Sequence, residues 1–518
     1  MPNKTRKLLT GTLLSLSVAV LLLLISSTQL MAGSATHEVA NSDTENATLV
    51  AGILESNASS AVGVSLDSNS AAIVLGADGT ESVTVAVNHD DADLTLTVTT
   101  SGTANGVTFA DDIVVKAPSD NGESIIILAT NDNLTFQGNI TELGASTGQV
   151  IIKSGSSGAN ATTTLTFDTV NNENMAVGAT IGAVDAADTV NMTIQNTDSA
   201  NANTVTFSDT IGAVAATIDA LTVAANTTVT FSGATTAATM GINSANVTTI
   251  GAALATAATF GADGTLTFTS GIDLTGSIAT STTNTGSVIF ADGTQTVSGT
   301  MGASGVLLKS ITVNGSGTAT FNATVFATTV TSNTTGGITM GGTGDDLNAN
   351  VNFTADGTLT LHDAGMTGNV TTGTTNEGSV ATGDAATITG TLGASSAILK
   401  MVDINHAATI TGTVYATEVD IAAVTLTMSA AADVIAAIDM SADGTINLAD
   451  GTDVTGAISA SASNNHGTVN CISAATCSVS GQIGAASGND IKLLALAANS
   501  TLSVGSGGEV KNITLAAG

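Results

Sequence analysis

The chain has 518 residues, with 42 acidic side chains against 9 basic ones and a formal net charge of −33 at pH 7. That balance excludes a nucleic-acid partner, which needs clustered Lys and Arg to displace phosphate counterions, and an anionic membrane surface would repel it for the same reason. Only 10% of residues are charged and 2% aromatic, with no Trp, yet 43% are hydrophobic and only 2 are Pro, which argues against a disordered chain.

Lys4, Arg6 and Lys7 open the chain, an apolar stretch covers 8–25, and Ser26, Ser27 and Thr28 follow. Gly33-Ser34-Ala35 offers a small-residue cleavage site, with Ala32 as a second candidate. Residues 1–35 therefore read as a secretory signal peptide, and the protein is expected to be secreted or held on the outer cell surface. The other reading is an uncleaved anchor. Thr10, Gly11, Thr12, Ser15 and Ser17 dilute the stretch, and a stable span needs ~20 apolar residues. No transmembrane domain is expected in the mature chain, which keeps Lys116, Lys153, Lys309, Lys400, Lys492 and Lys511 and no Arg.

Residues 36–130 carry strand-like runs at 83–87 and 124–128 and read as an N-terminal β region or cap. Residues 131–518 are repetitive. Without a gap, Thr210, Gly212, Ala213, Thr222, Val223, Thr228, Thr230 and Phe231 recur as Thr300, Gly302, Ala303, Thr312, Val313, Thr318, Thr320 and Phe321. The marker glycines Gly212, Gly302, Gly393 and Gly484 are 90, 91 and 91 residues apart by subtraction. A second marker begins at Ala262, Ala355 and Ala442 as Ala-Asp-Gly-Thr, a tight-turn sequence followed by alternation such as Thr265-Leu266-Thr267-Phe268.

The fold class is all-β. A right-handed, parallel β-helix-like solenoid, with about four or five coils of roughly 20 residues per repeat, suits small core residues. Tandem β-sandwich domains are the alternative, because a ~90-residue unit has the size of such a module. With so few rings, the core is expected to be a thin stack of Ala, Val, Ile, Leu and Thr.

Cys471 and Cys477 are the only cysteines and form either a local disulfide or two free thiols. Turn aspartates are candidate Ca²⁺ ligands, because Ca²⁺ prefers hard oxygens; the candidates are Asp345 and Asp346, after a glycine-rich run, and Asp90, Asp91 and Asp93. As paired catalytic carboxylates, Asp90-Asp91, Asp111-Asp112 and Asp345-Asp346 lack a shaped cleft, and neighbours on a strand point to opposite faces. His37, His89, His362, His406 and His466 are scattered, and no nucleophile motif occurs, so no enzymatic activity is expected. Thr-x-Thr strands suggest the threonine arrays of ice-binding solenoids, but the sequence spacing looks too irregular for strict register.

The TIGA…LTV…TVTF units resemble the β-strand repeats of bacterial S-layer proteins and the passenger domains of rickettsial-type surface antigens. The resemblance spans residues 131–518 and implies an outer-surface location, self-association into a layer or sheath, and a structural role, with adhesion to surface glycans as the alternative. A passenger domain of that kind would be followed by a membrane β-barrel, whereas the last repeat here runs to Gly518, so another export route is expected.

Overall fold

Alternation decides the local structure. In Thr265–Phe268 the two threonines are partly exposed while Leu266 and Phe268 are fully buried, and the same in–out pattern marks Thr358–Leu361 and Thr425–Met428. The computed structural model describes residues 217–461 continuously except for 364, most of 133–212 and 465–515, and shorter strand segments upstream from Ala35–Val39. Among the described residues there is no helix, hence none long and apolar enough to cross a membrane.

The chain forms two compact units, Met1–Val170 with Met175–Asn191, and Asn171–Asn174 with Met192–Gly518. The first unit contains three parallel ladders. One joins Val62–Asp67, Leu94–Thr99, Ser124–Thr130, Gln149–Ser154 and Thr180–Ala183. A second joins Gly52–Ser56, Val83–Val87, Ile113–Lys116 and Ile140–Leu143, and so crosses residue 130 without a break. The third stacks Leu75, Phe109, Phe136 and Phe167, with ring centroids 5.2 Å apart at both Phe–Phe steps.

The second unit is also built of three parallel faces, visited in turn. On the first face, Leu266 pairs with Val288, then Ile311, Val330 and Val351. On the second, Leu274, Val297, Phe321, Met340 and Leu361 follow one another. The third carries an inward file running through Ile278, Met301, Val325, Leu347, Met366, Ile388, Ile410, Met428, Leu448 and Cys471. All of these file members are at most 2% exposed, so like side chains stack along the coil axis. One coil takes 18 residues from Ile410 to Met428 (428 − 410) and 24 from Met301 to Val325 (325 − 301).

The protein is therefore a β-solenoid, and the expected parallel architecture is what the ladders show. The alternative of tandem sandwiches is overturned, because sandwiches need antiparallel sheets and every named strand pairing is parallel. The core also departs from the expectation of a ring-free stack. Ten of the 11 Phe residues are its largest fully buried side chains. They are rare in the sequence because a solenoid needs few rings per coil.

Register shows how the long repeat maps onto the coils. Leu266 of the first Ala-Asp-Gly-Thr copy starts a file on the first face; four coils later the file reaches Val351, and the next copy's Leu359 lies one face further on. Leu359 in turn leads through Val380, Val402 and Val419 to Ile438, and the third copy's Ile446 again lies one face on. Each repeat thus spans four coils plus one face.

Candidate functional site

Asp263, Asp356 and Asp443 sit in the Ala-Asp-Gly-Thr turns. The turn closes on itself, with Gly264, Gly357 and Gly444 each donating a backbone N–H to the preceding Ala carbonyl at 2.8 to 2.9 Å. One carboxylate oxygen of Asp263 accepts the N–H of Gly286 in the next coil at 3.3 Å, and the other accepts Lys309 Nζ from the coil beyond at 2.6 Å. Asp356 repeats this with Gly378 at 3.3 Å and Lys400 at 2.6 Å. Asp443 repeats it with Gly467 at 3.3 Å and Lys492. Each aspartate therefore staples three successive coils.

The receiving turns are Asn284-Thr285-Gly286, Asn376-Glu377-Gly378 and Asn465-His466-Gly467, with Asn and Gly at positive φ in each. Glycine is required at the third position: a Cβ on Gly286 would lie 2.3 Å from the Phe260 ring, and one on Gly378 2.5 Å from the Phe353 ring. Lys309 and Lys492, as hydrogen-bond donors, hold the carboxyls of Asp263 and Asp443 below the usual carboxylate value, against a smaller opposing effect of burial. Both partners of each pair are about half exposed, so each bridge contributes roughly 0.2–1 kcal/mol.

Other acids serve the same architecture singly. Asp112 accepts the N–H of Asn139 at 2.7 Å, Asp273 that of Thr296 at 2.7 Å, Asp292 that of Ser316 at 2.8 Å, and Asp450 that of Thr476 at 2.9 Å, each one coil on. The N–H donors of Ser316 and Gly293 hold Asp292 below the usual carboxylate value. Part of the acid excess is thus explained by backbone groups at the corners that need acceptors.

The Ca²⁺ candidates fall differently. Asp346 is one of these caps, its Oδ1 accepting the N–H of Gly365 at 2.9 Å, and Asp345 folds back over Gly342, where an added Cβ would lie 1.6 Å from Oδ2. Asp90, Asp91, Asp93 and Asp111 lie outside the described residues, as do residues 1–34. Among the described residues no three His, Cys, Asp or Glu side chains converge as a metal-binding group. Cys471 and Cys477 are disulfide-bonded, with Cα atoms 6.2 Å apart, and both are at most 1% exposed.

Two surface features accompany the staples. A shallow groove of about 410 Å³ is lined by Asp363, Gly365, Thr387, Thr409, Thr425 and Thr427, close in sequence to the pair formed by His406 Nδ1 and Asp384 at 3.9 Å. On the first face, Thr206, Thr230, Thr249, Thr267, Ile289, Thr312, Thr331, Asn352 and Thr371 form one outward file. Its register survives the irregular sequence spacing because the turns absorb the length differences, but Ile289 breaks the hydroxyl run.

Sequence reasoning picked out the Asp-Gly turns and missed their lysines. The signal was there: Lys309, Lys400 and Lys492 are 91 and 92 residues apart by subtraction, in step with the glycine markers. In the preceding copy the corresponding position, seven after Gly212, is Asp219. No protein-family model, curated protein or solved structure matches the chain.

Proposed function

We propose that this is an exported structural protein of the cell surface that packs side by side with its own copies into an S-layer-like or sheath-like coat. One observation carries the reading: the same Asp–Lys staple is presented on the first, second and third faces in turn. A binding module needs one differentiated face, whereas equivalent features turned to successive faces suit contacts in several directions with identical neighbours. With a net charge of −33, neighbouring copies repel, and divalent cations such as Ca²⁺ bridge the acidic faces between them. The signal-like segment at 1–35 and the resemblance of the repeats to S-layer proteins support the surface location. No catalytic role is assigned.

Electron microscopy of the purified mature protein with and without Ca²⁺ tests this. Ordered sheets or tubes that need the cation are expected; dispersed chains under both conditions overturn it. The groove along Thr387, Thr409 and Thr427 favours a second reading, an adhesin that holds a surface glycan through hydroxyl and carboxylate contacts. Glycan-array binding lost on Thr409→Val, by a protein that forms no lattice, would select it.

A further inference from the structure

On the second face, the outward positions of five successive strands are Ala381, Asp403, Asp420, Asp439 and Ser459, each paired with the next. Three carboxyl groups therefore follow one another at the strand spacing of ~4.8 Å. Like charges placed opposite each other on adjacent strands oppose the pairing. The three differ in their partners. Asp439 Oδ1 accepts the N–H of Ser461 at 2.8 Å, and its Oδ2 accepts the Ser461 hydroxyl. Asp403 Oδ2 accepts the side-chain amide of Asn405 at 2.7 Å. Asp420 is in the middle, and its Oδ1 is buried with no hydrogen-bond partner.

The neighbourhood supplies no cation. Glu418, two residues before Asp420 on the same strand, adds a further negative charge, and its partners Met401 and Ala437 are neutral. Lys400 Nζ is engaged by Asp356, and His406 Nδ1 lies beside Asp384. A buried acceptor without a donor, flanked by like charges, is costly. Burial, above all, raises the Asp403 carboxyl above its usual value, and the charge of Asp420 adds to this, against the Asn405 hydrogen bond.

We propose that the Asp403–Asp420–Asp439 file is an acid-responsive clamp, in which one proton taken up by the Asp403–Asp420 pair removes the repulsion and supplies the missing donor, tightening these coils. The sign follows from linkage: a carboxyl whose folded-state value is raised binds its proton more tightly in the native state. Stability is therefore gained as pH falls through that raised value and levels off near the ordinary carboxylate value. This is opposite in sign to the staples at Asp263 and Asp443.

The test is the urea midpoint of the full mature chain at about pH 7.5 and about pH 5, a window in which such linkage operates. Asp420→Asn removes one charge and offers an amide donor in nearly the same shape. Glu509→Gln removes one charge from an exposed position elsewhere in the second unit. The wild type and Glu509→Gln should show the same rise on acidification. Asp420→Asn should have a raised midpoint at neutral pH and lose much of that rise; if it does not fold, Asp403→Asn is read in the same way. An acid-induced rise in the Asn variants equal to wild type overturns the proposal. So does a midpoint raised at neutral pH by Ca²⁺ in wild type and not in Asp420→Asn, which would make the file a cation site.

Discussion

The two units obey the same strand rules with different coil lengths. In the first, the step from one coil to the next is 27 residues at Ile113 to Ile140 (140 − 113) and 37 at Ile140 to Val177 (177 − 140). In the second, it is 18 from Val247–Ile250 to Thr265–Phe268 (265 − 247) and 22 from there to the next strand (287 − 265). Ladder geometry is indifferent to this, since Phe109, Phe136 and Phe167 stack at the same 5.2 Å as Phe268 and Phe290. A one-coil cap tolerates it as well: Asp112 reaches Asn139 across 27 residues. Among the described residues, the three-coil lysine staples all fall in the second unit. The lesson is that strand stacking forgives long turns, whereas a device spanning three coils needs two short turns in succession.

If the cores are equivalent and the staples are not, substitutions will separate the two effects. Phe136→Ala and Phe268→Ala should each cost ~3–5 kcal/mol, with local loss of hydrogen-exchange protection in the unit that carries the change. Clearly unequal losses would break the equivalence. Gly286→Ala should cost about 2–4 kcal/mol, because it combines a positive-φ penalty with overpacking against Phe260. Its effect, read as a lowered urea midpoint, should exceed that of an alanine at exposed Gly305, which has open space beside it.

The smallest effect belongs to the ion pairs. Lys309→Met, Lys400→Met and Lys492→Met should each cost roughly 0.2–1 kcal/mol, add within error, and lose their effect in high salt. Because Asp263 and Asp443 have lowered folded-state values, their contribution is present above the usual carboxylate value and is lost as pH falls through the lower one. The triple variant should show a shallower acid-side loss of stability in a pH series of thermal melts.

Much of the second unit was legible because its alternation is regular: Thr265-Leu266-Thr267-Phe268 can be neither helix nor loop once the Asp-Gly turn before it is recognised. The solenoid followed from small core residues. Two things could not be read that way. The pairing of Asp263 with Lys309 depends on which residues share a face two coils apart, and a period of ~90 residues says nothing of faces until coil lengths are known. The Asp403–Asp420–Asp439 file was hidden for the same reason, because its members are 17 and 19 residues apart by subtraction and share no motif.

Four coils plus one face per repeat also constrains how such a gene can change length. Loss or duplication of one whole repeat leaves every strand with a neighbour to stack on, so folding survives. Everything downstream, however, is turned to a different side of the rod. Only changes by three repeats, like the span from Gly212 to Gly484, restore the original orientation. Repeat number in such a chain therefore sets the direction in which its far end faces, as well as its length.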